Sequence, residues 1–247
     1  MAKSKRADIL LVERGHFESR ARARAAIEAG LIKADGAVVS KPSAPVRADA
    51  LLEAAKPHPF VSRGGVKLEA ALDAFDFEPA GRICLDIGAS TGGFSHLLLL
   101  RDARQVVAVD VGHGQLHSSL AGEQRLLSIE GQDIRKLEEM PGGEAPTLIV
   151  VDVSFISLLA VLPAADRLAA ARAELVALVK PQFEVGRAHL KKGVVRDADA
   201  QEEACRRIEA KLIELGWTIA GIIESPIRGG DGNREFLIGA KHGHAAA

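Results

Sequence analysis

RICLDIGASTGGF, Arg82 to Phe94, is the stretch that decides how this chain folds. Ile83 to Ile87 are mostly apolar, as a strand buried on both faces of a sheet requires. Gly88, Gly92 and Gly93 then let backbone pass close to a ligand, and a helix is expected from about Phe94. In an open α/β sheet, such a strand-to-helix crevice is where nucleotide-like ligands sit. The spacing is G-x-x-x-G-G and lacks the G-x-G-x-x-G that cradles a dinucleotide pyrophosphate. It suits a nucleoside-like ligand without a pyrophosphate, and S-adenosylmethionine is the candidate. Gly88, Ala89, Ser90, Gly92, Gly93 and Phe94 would form the seat; the alternative is a plain strand-to-helix connection.

Outward from this turn, helices and strands alternate. HLLLLRD reads as helix, VVAVD as a buried strand, RLLSIEGQD as a third strand, TLIVVDV as a fourth and ELVALVKP as a fifth. SLLAVLPAADRLAAAR and ACRRIEAKLIELG are long amphipathic helices, and WTIAGIIESPI and REFLIGAKH are two further strands with no helix between them. A βα succession ending in a hairpin-like pair predicts an α/β fold: a mostly parallel seven-stranded sheet with one antiparallel strand. That is the architecture of the Rossmann-like class I methyltransferases that use S-adenosylmethionine. Upstream, VSRGGVKLEAALDAF predicts a tight turn at Arg63-Gly64-Gly65 followed by a helix with Lys67 in its first turn. A cation is unfavourable there beside the helix dipole, which hints at a specific role.

Side chains at the carboxyl ends of parallel strands converge on one crevice. Asp86, Asp110, Asp133 and Asp152 all fall at such ends. Asp110 lies about 20 residues past the glycine turn, the distance at which an acidic side chain accepts from ribose hydroxyls. Asp133 is expected to meet an adenine amine, and Asp86 to fix the glycine loop and orient the methionyl ammonium. For each, the plain alternative is a capping or turn aspartate. Lys180 ends the apolar strand LVALV before Pro181, so its side chain is expected beside Asp152 at the rim of the crevice. A lysine shielded from water near a second cation can act as a base, whereas carboxylates oppose this. Lys67 is the candidate second cation and Glu235 the residue holding the pair; a surface ion pair is the alternative.

The chain has 247 residues, 47% hydrophobic and 26% charged, which supports a packed core and argues against disorder. No apolar run is long enough to span a bilayer, and the start, MAKSKRADILLVERG, lacks a signal-peptide apolar region, so a cytoplasmic protein without membrane insertion is expected. Cys84 and Cys205 have no neighbours at metal-ligand spacing and read as buried, inert thiols, with no metal. Net charge is -1, unevenly spread. Up to Lys67 there are 13 Lys and Arg against 7 Asp and Glu, and 19 against 26 thereafter. A basic front on an acidic body suggests a polyanion bound through the front.

That front reads as a short helix over residues 8 to 14, a second helix, RARARAAIEAG, capped by Ser19, a hairpin in LIKADGAVVS turning at Asp35-Gly36, and VRADALLEA as another extended piece. With its ERG, SR and IEAG and the turn before VVSKPS, this small α+β module resembles the S4 RNA-binding domain over roughly residues 6 to 55. The resemblance implies phosphate contacts by Arg20, Arg22, Arg24 and Lys41; a solvated arginine face is the alternative. The expected organisation is an S4-like domain at 1–56, a linker at 57–62 within KPHPF and its flanks, and a methyltransferase domain at 63–247.

Lys67, Asp152, Lys180 and Glu235 match the K-D-K-E tetrad of the FtsJ-like RNA 2'-O-methyltransferases. VSRGGVKLEAAL, CLDIGASTGGF, AVDVGHGQL, VVDVSFISL, VKPQFEVGR, KKGVVRD and GNREFL together resemble the TlyA family, which joins an S4 domain to such an enzyme and includes members named haemolysin. The resemblance implies methylation of a cytidine 2'-hydroxyl in ribosomal RNA, ribosomal subunits as partners, and Lys180 as general base. One departure is GQDIR at 131–135, where relatives often carry an asparagine before the Ile-Arg pair. Arg63, and Arg187, Lys191, Lys192 and Arg196 in a glycine-flanked loop, are candidate RNA contacts, with a solvated loop as the alternative for the last four. One or both of Phe155 and Phe183 are expected in the core, with stacking on the target base as the alternative. Competing functions are methyl transfer to a small molecule or protein, a non-catalytic ribosome assembly factor, and membrane lysis.

Overall fold

The computed structural model describes residues 4–28, 30–54, 58–186, 189–191, 193–229 and 232–243. The chain divides into two compact units, Met1–Pro59 and Phe60–Ala247. Part of the expected linker, residues 55–57 and with them Lys56, lies outside the described residues. Phe60 and Val61, also expected as linker, are instead buried in the second unit's core. An aromatic ring and a β-branched side chain gain more from that burial than from solvent.

The first unit runs β1 (Ser4–Arg6), α1 (Ala7–Glu13), α2 (Arg20–Glu28), β2 (Ile32–Ala34), β3 (Ala37–Val38), β4 (Pro45–Arg47) and β5 (Leu52–Ala54). Ser19 Oγ accepts from Arg22 N at 3.3 Å, as its place before the arginine helix predicts. Asp35 and Gly36 both have positive φ and turn β2 into β3, the backbone a two-residue hairpin needs. The expected single piece VRADALLEA is two strands: β4 pairs with β1, β5 with β2, and a turn at Arg47–Ala50 separates them. Leu10, Leu11, Phe17, Ala26, Ile27 and Ile32 fill the small core.

The second unit runs α3 (Gly64–Phe75), β6 (Ile83–Ile87), α4 (Gly93–Leu100), β7 (Gln105–Val109), β8 (Leu126–Ile129), β9 (Leu148–Val151), α5 (Leu158–Leu168), β10 (Ala173–Val179), α6 (Pro181–Glu184), β11 (Leu190–Lys191), β12 (Val194–Val195), α7 (Ala198–Glu214), β13 (Thr218–Glu224) and β14 (Phe236–His242). Seven strands form one sheet in the order β13-β14-β10-β9-β6-β7-β8, with β14 antiparallel to both its neighbours and the others parallel. The five-residue β6 and seven-residue β10 are buried throughout because helices cover both faces. Leu175, Ala177 and Val179 of β10 face the cluster under α5 and α7, while Val176 and Leu178 face the cluster under α3 and α4. Gly64 and Gly65 lie within the first turn of α3 and do not form a separate tight turn; the Phe60 ring occupies the space a Gly65 side chain would take.

Cys84 and Cys205 are buried free thiols, and burial pushes Cys84 up to about 12 and Cys205 to about 11. In the terminal HGHAAA, His242 ends β14 and stacks on Trp217, while residues 244–247 lie outside the described part. No described helix is long and apolar enough to cross a membrane.

Candidate active site

The carboxyl ends of β6, β7 and β9 and the turn after β8 enclose a cavity of about 550 Å³. Ile87, Val109, Ile134 and Val161 supply apolar wall, and Asp110, Asp133 and Asp152 supply carboxylates. A second cavity of about 260 Å³ adjoins it, bounded by Ser62 to Gly64, Lys67, the glycine turn, Asp152 and Lys180. Gly88, Ser90, Asp152 and Ser154 line both.

Their shared wall depends on Gly88, which has φ +84 and whose absent Cβ would overlap Asp152 O at 2.5 Å. Only glycine lets the ends of β6 and β9 come that close. Asp110 braces the turn from β7: Oδ2 accepts from Ser90 N at 2.8 Å and Oδ1 from Gly112 N at 2.7 Å. Of the expected seat, Gly88 and Ser90 line both cavities, whereas Ala89, Gly93 and Phe94 line only the smaller one. Gly92 lines neither. It takes a left-handed φ of +85 as the residue before α4, and a Cβ there would meet Leu120 at 2.5 Å, so its constraint is packing.

Asp86 also lines neither cavity, contrary to a direct role in orienting an ammonium group. Strand alternation turns it away from Leu85 and Ile87 toward α4. It is fully buried, and Ser95 Oγ donates to its Oδ2 at 2.6 Å, fastening the first turn of α4 behind the glycine loop. Burial pushes its carboxyl up to about 7. Asp133 lines the larger cavity, yet its carboxylate is gripped by Arg135, whose Nη2 lies 2.6 Å from Oδ2 and Nε 3.0 Å from Oδ1. That grip holds it down at about 2. A base amine there would share the carboxylate with a guanidinium.

The tetrad comes together as two ion pairs. Lys67 Nζ donates to Glu235 Oε2 at 2.5 Å, and both residues are buried. Lys180 Nζ lies 2.6 Å from Asp152 Oδ1, an ion contact outside hydrogen-bond alignment, and donates to Ser154 Oγ at 2.8 Å. Lys67 and Lys180 are each 8% exposed. Desolvation on this scale is costly without partners, and both have one.

Two residues that the sequence reading passed over hold this arrangement. Ser154 touches Lys180 and lines both cavities. Buried Glu184, closing α6 four residues past Lys180, accepts from Ser157 Oγ at 2.5 Å and from Leu158 N at 2.8 Å. It ties the segment after Lys180 to the loop after Asp152. The available signal was Ser157 before LLAVL, a helix start needing an acceptor for its exposed N–H groups. Phe155 is 93% exposed with φ +64, lines the larger cavity and stands 5.2 Å ring to ring from the half-buried Phe183. Phe155 is therefore not a core residue, and Phe183 is only partly buried.

Exposed Arg63 lines the smaller cavity, and Arg196 is also exposed; Arg187 and Lys192 lie outside the described residues, as does the side chain of Lys191. In the first unit, Lys41 is exposed, but the three arginines of α2 face carboxylates: Arg20 with Asp8 at 2.8 Å, Arg22 with Glu18 at 3.1 Å and Arg24 with Glu28 at 3.9 Å. They are not the bare cationic face that the sequence alone suggested.

The larger cavity fits S-adenosylmethionine by the chemistry of its lining: apolar surface for a base, the Asp110 carboxylate about 20 residues past the glycine turn, and further acidic groups suited to a cationic ligand. Its lining includes one cation, Arg135, which is committed to Asp133.

Residues 60–242 match the FtsJ-like methyltransferase family and residues 5–52 match the S4 domain. The chain is 42% identical to the 16S/23S rRNA (cytidine-2'-O)-methyltransferase TlyA of Mycobacterium tuberculosis, over 96% of this chain and 90% of that protein. A solved structure from Streptococcus thermophilus, described as a hemolysin, is 37% identical with a TM-score of 0.75, covering 98% of this chain and 90% of that one. A SAM dependent methyltransferase from Aquifex aeolicus, 17% identical with a TM-score of 0.52 over 73% of this chain and 93% of that one, shares the fold.

Proposed function

The chain belongs to the FtsJ-like methyltransferases, with an S4 domain ahead of the methyltransferase domain, and on that premise we propose that it methylates a cytidine 2'-hydroxyl in ribosomal RNA with Lys180 as general base. It is an RNA (ribose-2'-O)-methyltransferase that uses S-adenosylmethionine. The observation that carries the reading is the position of Lys180, buried in the lining of the smaller, cationic cavity and in contact with Asp152 and Ser154, which line both that cavity and the nucleoside-sized one.

When bound, S-adenosylmethionine supplies a methyl group on an already activated sulfonium, so the chain must align the ribose hydroxyl and receive its proton. Gly88, Ser90, Asp110 and Asp133 would hold the donor. Once the ammonium of the Lys180–Asp152 ion pair has lost a proton, its amine has two N–H groups and one lone pair. Ser154 Oγ accepts one N–H, the Asp152 carboxylate draws the second, and the lone pair remains for the ribose hydroxyl. Lys67, locked by Glu235, is a fixed positive charge in the same cavity that steadies the hydroxyl oxygen as its proton leaves. Phe155, exposed in a strained backbone at the rim, is set to stack on the target base. Arg63 would meet an adjoining phosphate, with ribosomal subunits as the partner.

The test is methyl transfer from labelled S-adenosylmethionine to separated, unmodified ribosomal subunits, with mapping of the modified positions. A 2'-O-methylcytidine that disappears with Lys180→Ala supports the reading; label on a base, on protein or nowhere sinks it.

A further inference from the structure

Beyond the two cavities, a buried carboxylate in the first unit organises a pair of arginines. Asp8 of α1 is fully buried, a costly place for a charge without partners. Two arginines from different elements meet it. Arg6, closing β1, donates from Nε to Oδ1 at 2.9 Å and from Nη2 to Oδ2 at 3.1 Å. Arg20, opening α2, donates to Oδ2 from Nε at 3.2 Å and from Nη2 at 2.8 Å. These bonds, led by those from Arg6, hold the Asp8 carboxyl well below the usual carboxylate range against the effect of burial.

Each guanidinium turns its Nε edge to Asp8. Two of its five N–H donors are taken, which leaves about three on each arginine. Both side chains stay about half exposed, 47% for Arg6 and 55% for Arg20. Asp8 N donates to Pro42 O at 3.1 Å, so the backbone next to exposed Lys41 runs beside the pair. Arg22 and Arg24 differ: their partners Glu18 and Glu28 are exposed residues one helical turn away, an arrangement that fixes little.

We propose that Asp8 is a positioning residue, which locks Arg6 and Arg20 into a double fork that grips the phosphate backbone of RNA. The inference rests on the RNA reading above and names the site that performs the docking. Arginines already immobilised lose less freedom on binding, and their remaining donors suit phosphate oxygens. The competing role for Asp8 is a plain tie between α1 and α2.

The two roles differ in sign. Asp8→Asn removes a negative charge, so without positioning it should leave RNA binding unchanged or tighter. Positioning predicts the reverse. Full-length protein is titrated with purified unmodified ribosomal subunits over a range of salt. Asp49→Asn serves as the charge control, since Asp49 is exposed and pairs with Arg47 away from the fork. Asp8→Asn should weaken binding about fivefold or more and flatten the log–log salt slope by about one, while Asp49→Asn binds at least as tightly as wild type. Arg6→Lys and Arg20→Lys keep the charge and lose the fork; each should weaken binding about threefold at an unchanged thermal midpoint. These two decide the matter should Asp8→Asn fail to fold. Asp8→Asn binding as tightly as wild type, or both lysine variants binding like wild type, overturns the proposal. A wild-type protein with no affinity for subunits overturns the RNA reading beneath it.

Discussion

Lys67 and Lys180 are equally buried, each is paired to a carboxylate and both line the smaller cavity, yet their partners differ in reach. Glu235 is buried and lines neither cavity, so Lys67 is anchored from behind. Asp152 lines both cavities and shares Lys180 with the hydroxyl of Ser154. In the proposed mechanism the lysine held from behind serves as a fixed charge, and the one held from the side, beside residues that line both cavities, serves as the base. The partner's placement sets the role.

The sharpest way to break this comparison is to remove each lysine. Lys180→Ala should lower methyl transfer by about 10³-fold, within the range for a lost general base, with S-adenosylmethionine affinity little changed by calorimetry. Lys67→Ala should cost about ten times less; equal losses would erase the distinction. Glu235→Gln should reduce activity by up to about 100-fold and also cost about 3–5 kcal/mol in denaturant unfolding, because it leaves the Lys67 charge buried without its partner. A loss of activity at full stability would mean that Lys67 is not anchored this way.

Ser154→Ala addresses the side grip. It should lower kcat about tenfold with KM for the subunits unchanged, and Ser154→Thr should restore it; a rise in KM alone would make Ser154 an RNA contact. At the rim, Phe155→Ala should raise KM for the subunits several-fold and leave the thermal midpoint unchanged. Phe155→Gly should bind as poorly while gaining about 1 kcal/mol of stability from relief of the positive φ.

Asp86 sharpens the contrast from a third side, as a carboxylate buried with a hydroxyl partner and no lysine. Its folded pKa, about 7, lies above the unfolded value, so its contribution is full below about pH 4 and is lost as pH rises through about 7. Asp86→Asn should therefore fall off less steeply in stability between pH 4 and 7 than wild type. Parallel curves for the two proteins would show that Asp86 is not neutral in the folded state.

The fold was legible because it rests on order: five strands in succession, with α4 after β6 and α5 after β9, then two strands without a helix between them, define a parallel sheet with a reversed β14. The approach of Asp152 and Lys180 was legible because strand ends converge, while the set of four with Lys67 and Glu235 came from the resemblance to the FtsJ-like tetrad. What sequence could not give was direction and partnership. Asp86 and Ile87 are neighbours on β6, but alternation sends one behind the sheet and the other into the cavity wall. Glu18 and Glu28 stand one helical turn from Arg22 and Arg24 in the sequence, whereas Asp8 is on another element and meets Arg20 only on folding. Ser154 and Phe155 fall in a loop whose positive φ has no sequence signature at a phenylalanine.

The central claim, that a lysine held by Asp152 and Ser154 removes the proton of a ribose 2'-hydroxyl, meets its most direct test in one comparison. Wild-type and Lys180→Ala proteins, matched for S-adenosylmethionine binding, are incubated with unmodified ribosomal subunits and labelled donor, and 2'-O-methyl positions are mapped. The account predicts a single class of product, 2'-O-methylcytidine, with wild type and essentially none with the variant. The same product at a comparable rate from the variant would contradict it.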